Sequence, residues 1–215
     1  RDRAVTELLR GKIGATVQLA VGSWVFAIAL GIPMGVLAAV KRGTLWDYIG
    51  RGLAIVGQAA PPFVTALVAI WIFAVWLEWL PAGGRSPEFN WKEYILPCTA
   101  LGWGAAASLM RLTRSSMLEV LDSEYIRLAR AKGVDWNWVI YKHALRNALI
   151  VPVTSALLTF SGWLNGALVV EIVFSWPGIG YEALYRAVND NDFPLLLGTV
   201  FIFILIYLVF ATIAD

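Results

Sequence analysis

The chain has 215 residues, is 59% apolar and only 15% charged, and carries a net charge of +2 with a mean hydropathy of +0.69. A soluble domain carries about 25% charged residues, so this composition excludes an ordinary soluble fold and a disordered chain. Long uncharged runs also exclude a membrane β-barrel, whose strands alternate over roughly ten residues. The near-neutral charge gives no reason to expect a nucleic-acid partner.

In chain order, uncharged runs predict spanning helices at about 13–40, 53–77, 94–110, 147–170 and 194–214. A span needs ~20 mainly apolar residues, and the third run is the shortest. The fold class expected is therefore an all-α membrane protein with five spans, organised as one domain over 1–215. Pro33, Pro61, Pro62 and Pro152 are placed to kink or break their helices. Gln58-Ala-Ala-Pro61-Pro62 and Asn165 are the candidates for a pathway lining, because polar groups and broken helices in a membrane face protein or a wet cavity. Helix-to-helix bonding is an equally good reading of each.

Charge sets the sidedness. The loops at 41–52 and 111–146 carry Lys41, Arg42, Arg51, Arg111, Arg114, Arg127, Arg130, Lys132, Lys142 and Arg146. Those at 78–93 and 171–192 carry Arg85, Lys92 and Arg186 against many acids. The basic loops are thus expected inside. Arg1, Arg3, Arg10 and Lys12 fall on the outer side in this topology and oppose it, but both inner loops agree. Trp46, Trp76, Trp79, Trp91 and Trp176 sit near span ends, as headgroup-level indoles do. Trp136 and Trp138 lie inside the polar loop and fit either a protein contact or the inner leaflet.

Chemistry is sparse. A single histidine, His143, and a single cysteine, Cys98, build neither a catalytic triad nor a metal site, and Cys98 is expected to be a packed small residue. No phosphate-cradling Gly-x-x-x-x-Gly-Lys-Ser/Thr occurs, so ATP would be hydrolysed elsewhere. Glu171, at the outer end of a span, is solvated, paired with a base such as Arg186, part of an outer gate, or structural, and the structural role is favoured.

The loop 111–146 has a legible local structure. Asp122 or Ser123 caps a helix running to Lys132, with Leu118, Leu121, Tyr125 and Leu128 as its apolar face. Glu124 and Arg127, three apart, support that helix, and Gly133 ends it. Asp135 caps a second helix at Trp136. Helix, glycine elbow and helix make a docking knob, or else a basic loop wetted by anionic lipid.

Glu124-Tyr125-x-Arg127-x-Ala129-Arg130-Ala131-Lys132-Gly133 and His143-Ala-Leu-Arg-Asn147 resemble the EAA motif of permease subunits of binding-protein-dependent ABC importers, in its dipeptide, oligopeptide and nickel branch. The common form has Glu-Ala-Ala, three residues, then Gly. Arg127-Leu128-Ala129 fills those first three positions, and Arg at the first is the form of the peptide branch. Val169-Val-Glu171-Ile-Val-Phe174-Ser-Trp-Pro177-Gly178-Ile-Gly180, Asn191-Asp192-Phe193-Pro194 and Gly31-Ile-Pro33-x-Gly35 are similar to further segments of the same family.

The resemblance implies a type I ABC importer transmembrane domain that is no enzyme, multi-pass in a bacterial or archaeal cytoplasmic (inner) membrane. It would form half of the path for ATP-driven uptake of a small solute, most plausibly peptides. Implied partners are a second homologous permease, two ATPase subunits, an extracytoplasmic solute-binding protein and membrane lipid. No cofactor would bind this chain; ATP and magnesium would sit on the ATPases. Glu124, Arg127, Ala129, Arg130, Ala131, Lys132, Gly133 and Asp135 would form the ATPase-coupling loop, with its coupling helix. Glu171, Pro177 and Gly178 would belong to an outer gate or a structural turn. The family form also implies a further helix before Arg1 and a short tail after Asp215. The alternative from another class is a secondary transporter or channel subunit driven by an ion gradient, which calls for ionisable groups deep in the spans.

The charge asymmetry predicts that single cysteines at Ser123 and Ser86 are labelled from opposite sides by an impermeant thiol reagent. Labelling of both from one side would refute the topology.

Overall fold

The computed structural model describes the backbone of residues 5–214. Side chains at 5–10, 159, 161, 162, 164–166, 182, 206, 207, 209–211, 213 and 214 lie outside the described set. Every element among the described residues is helical. The main ones are α1 (Val5–Val40), α2 (Leu45–Ala59), α3 (Pro62–Ala69), α4 (Trp91–Leu121), α5 (Glu124–Ala131), α6 (Trp136–Trp138), α7 (Leu145–Ala148), α8 (Ile150–Val173), α9 (Arg186–Asn189) and α10 (Phe193–Ala214). Wider π-helical turns extend α3 over Ile70–Trp76, join α6 to α7 over Val139–Ala144 and precede α9 over Gly180–Tyr185.

Among the described residues two helices are long and apolar enough to cross a membrane, Gly11–Val40 and Trp91–Leu121. Leu45–Ala59 with Pro62–Trp76 makes a third if that pair is one broken span. α8 and α10 stand where the fourth and fifth runs were read. The third run was cut too short. α4 has 31 residues and carries Arg111, Arg114 and Glu119, because a helix does not end where its charges begin. The prolines differ in effect. α1 stays continuous through Pro33, and Pro152 lies in the first turn of α8, where a missing N–H costs little. Pro61 and Pro62 do break the chain, ending α2 and starting α3.

The chain folds as two compact units, one of residues 1–26, 61–103 and 158–215, the other of 27–60 and 104–157. In each, α1 and α4 run parallel at very close range. In the first unit Gly22 faces Cys98, and Gly102 faces the Ser23 carbonyl. Cys98 is buried in that notch, as a packed small residue. In the second, a Cβ on Gly31 would lie 2.6 Å from the Ala106 carbonyl oxygen, and one on Gly35 would lie 2.6 Å from that of Met110. Small residues let membrane helices approach this way.

α2 packs antiparallel to α4 in the second unit. Its buried stripe is Asp47, Gly50, Ala54 and Gly57. Gly50 meets Met110, Gly57 meets Gly104, and Asp47 meets Arg114 through two bonds of 2.7 and 3.0 Å. Arg42 lies 3.8 Å from Asp122, so the loops at 41–52 and 111–146 are neighbours. In the first unit the loops at 78–93 and 171–192 are neighbours, since the Gly84 N–H donates to the Phe174 carbonyl at 2.7 Å. Each pairing matches the partition of loops by charge.

Trp176 departs from the membrane-belt reading. It is fully buried, donates from Nε1 to the Ala15 carbonyl at 2.9 Å, and meets Tyr94 edge-on. Trp46, Trp76, Trp79 and Trp91 are exposed, as belt residues are.

Gly35→Ala is expected to lose up to about 2 kcal/mol net, since overpacking at about 1–3 kcal/mol is set against a helix-propensity gain of about 1. Gly14→Ala, on the same helix with nothing within 4 Å, should lose nothing. Thermal unfolding in detergent reads both.

Candidate functional site

The loop read as a docking knob is built on its own small core. Val36, Ala39, Met117, Ile126, Val139, Ile140, Ala144 and Ala148 are buried together. α4 ends at Leu121, the chain turns at Asp122–Ser123, and α5 begins at Glu124. Ser123 is its N-cap residue but makes no side-chain cap bond. The break changes the phase of the helix. Ile126 is the residue of α5 that points into the core, while Tyr125 and Leu128 are exposed. Sequence periodicity had been carried through Asp122–Ser123 as if one helix continued, which put Tyr125 and Leu128 on the buried face.

Glu124 and Arg127 form an exposed ion pair at 2.7 Å. Ala129 is half-buried, and Arg130, Ala131, Lys132, Gly133 and Asp135 are exposed. Gly133 takes φ +76°, the left-handed backbone that a helix-ending glycine supplies. No atom of the chain lies within 4 Å of where its Cβ would be, so the restriction from within the chain is one of conformation. The Asp135 carboxylate accepts the Asn137 N–H at 2.9 Å and caps α6. The Arg130 guanidinium lies over Trp136 at 4.9 Å, and the Lys142 ammonium over Trp138 at 4.6 Å. Asn147 Nδ2 donates to the Tyr125 hydroxyl at 2.9 Å and ties the two halves of the motif together. The result is a cationic and aromatic surface over a buried apolar base.

The pathway candidates are less concentrated. Gln58, Pro61 and Pro62 are all exposed. Gln58 lines an open pocket with Arg51, Arg111 and Arg114. The side chain of Asn165 lies outside the described residues.

Glu171 is fully buried, which rules out its solvated reading. Its carboxylate accepts the Thr16 hydroxyl at 2.6 Å and the Tyr181 N–H at 3.1 Å. Thr16 in turn accepts the Ile179 N–H at 2.9 Å. Gly178 and Gly180 pack directly on the carboxylate and leave no room for a Cβ. The turn holding Pro177 and Gly178 is therefore clamped to α1 through Thr16 and to Ala15 through Trp176. A threonine in an apolar run carries no signal of which distant acid it will meet. The same holds for Asp47 and Arg114, whose pairing joins α2 to α4.

A glutathione transport system permease protein, GsiC, of Salmonella choleraesuis (strain SC-B67) is 39% identical over 213 residues, covering 99% of this chain and 68% of that protein. A Brucella suis biovar 1 (strain 1330) protein provisionally named a peptide permease protein is 39% identical over 204 residues, covering 92% of this chain and 64% of its own length. The chain thus spans about two thirds of the length of these curated relatives. Among solved structures, an inward-facing MetNI methionine ABC transporter matches with a TM-score of 0.80 at 18% identity, covering 100% of this chain and 96% of that one. At that identity the likeness speaks for the fold alone. The family model described as binding-protein-dependent transport system inner membrane component matches residues 31–215. With that match over most of its length, the chain belongs to the family of binding-protein-dependent transport system inner membrane components.

Proposed function

We propose that the chain is a permease subunit forming half of the translocation path for ATP-driven uptake of a small hydrophilic solute, a peptide or a peptide-like molecule such as glutathione. The printed names of its relatives support the solute class. The observation that carries the mechanism is the exposed elbow at Gly133, set between α5 and the Asp135-capped α6 over a rigid apolar base. Such a knob transmits force, because its core couples it to the ends of α1 and α4 and to α7 in its own unit.

In this reading the chain is one transmembrane domain whose five runs all span the membrane. Residues 41–52 and 111–146 face the cytoplasm. A second homologous permease completes the path, two ATPases with their ATP and magnesium grip the α5–α6 knob, and an extracytoplasmic binding protein delivers solute to the acidic loops. Closure of the ATPases displaces the knobs, and the paired permeases rock between outward and inward openings. Glu124 and Arg127 orient α5, Arg130 and Lys132 face the ATPase, and Gly133 lets the chain turn beneath it. The Glu171–Thr16 clamp holds the Pro177–Gly178 turn in place as a structural support of the outer end.

Gly133→Asp should uncouple transport, since an L side chain is strained at this φ and adds charge at the contact. The subunit should still insert and the binding protein still bind solute, but solute-stimulated ATP hydrolysis in reconstituted vesicles should fall at least tenfold. Asn90→Ala, in the opposite set of loops, should leave it unchanged. Wild-type hydrolysis in Gly133→Asp would reject the coupling role. Purified alone, the chain should show no ATP turnover in a phosphate-release assay; turnover free of other proteins would reject the division of labour.

A further inference from the structure

A second feature of the 27–60 and 104–157 unit has no place in that mechanism. Three arginines, Arg51, Arg111 and Arg114, and three apolar side chains, Ala54, Ile55 and Met110, line an open pocket of about 180 Å³ with Gln58. The charges do not balance within it. Asp47 is the acid that meets the arginines; it holds Arg114 at 2.7 Å and Arg51 at 3.3 Å. Arg111 has no acidic partner within ion-pair distance among the described residues. Three guanidinium groups therefore share one carboxylate. A guanidinium fork fits a phosphate in two-point fashion and is less strongly hydrated than an ammonium, so the surplus favours a phosphate ligand.

The surface beside the pocket narrows the ligand further. Beside the pocket α2 exposes Ile55 and Tyr48, with the Arg51 guanidinium 4.7 Å over the Tyr48 ring. Aliphatic side chains beside a phenol ring suit the boundary between acyl chains and headgroups. A free phosphate would use the arginines and ignore these residues. An amphiphile uses both: its phosphodiester on Arg51 and Arg111, its chains along α2. We propose that this pocket binds the headgroup of an anionic phospholipid. Basic pockets on the cytoplasmic side of membrane proteins meet the leaflet where such lipids are concentrated. The leaflet rests on the topology proposed above, but the pocket's preference for an anionic lipid does not.

The test uses the permease purified with its partner subunits in nanodiscs of phosphatidylcholine and phosphatidylglycerol. Native mass spectrometry after release counts the lipid each complex retains. Wild type should retain phosphatidylglycerol over phosphatidylcholine. Arg111→Gln should lower retained phosphatidylglycerol about fivefold, the effect of one basic residue near an anionic surface. Arg111→Lys should keep most of it. Lys41→Gln, which removes a nearby exposed charge outside the pocket, should change nothing. Arg111 is exposed and unpaired, so its loss should not unfold the chain, and wild-type selectivity tests the idea without any variant. Equal retention of both lipids by wild type, or an Arg111→Gln complex that retains phosphatidylglycerol as wild type does, overturns the proposal. Displacement of the lipid by millimolar inorganic phosphate also overturns it, in favour of a small-anion site. The thiol labelling at Ser123 and Ser86 tests sidedness separately, so failure of the topology and failure of the lipid site read differently.

Discussion

The parallel contact between α1 and α4 is the constraint on which the remaining helices depend. Backbone approaches backbone at Gly31 and Gly35 in one unit and at Gly22 and Gly102 in the other. No hydrophobic drive separates helix from lipid, so packing must supply the association energy, and packing improves as axes draw closer. Two parallel helices need a return path. α2 and α3 supply it, with the break at Pro61–Pro62 between them. In its unit α2 repeats the device, setting Gly50 and Gly57 against α4.

Polar groups in this fold are few and tied. Asp47 is almost wholly buried and receives the Gly43 N–H at 3.0 Å as well as two bonds from Arg114. Those bonds tie the turn at 41–44 and α2 to α4 through one part-buried ion pair. Glu171 does the same in its unit through Thr16 and the Tyr181 N–H. Both acids join a loop to a helix distant in sequence, at the ends of helices where side-chain packing alone is sparse.

The α5–α6 knob combines a buried base with an exposed rim. Ile126, Val139 and Ile140 supply the base, and a side chain buried there fixes the angle at which the rim is presented. Arg130 on Trp136 and Lys142 on Trp138 spread positive charge over aromatic faces, a surface suited to a protein contact. The Asn147–Tyr125 bond makes the two halves of the motif one body.

Much of this was legible in the residues alone. Apolar runs located the helices, because a backbone in hydrocarbon must satisfy its own hydrogen bonds and so must be helical. Asp135 announced a cap and Gly133 a left-handed turn, since both are local devices whose geometry depends on a few adjacent residues. What failed depended on distance. The true length of α4 was hidden by Arg111 and Arg114, whose charges are carried by helical packing and Asp47. The phase of α5 was lost at Asp122–Ser123, where periodicity restarts without a mark in composition. Trp176 read as an interfacial ring and proved a core residue, because only the fold brings Ala15 and Tyr94 to it. Local chemistry determined helices and caps; the partners of Glu171, Asp47 and Trp176 were decided by tertiary structure, because burial pairs groups that lie far apart along the chain.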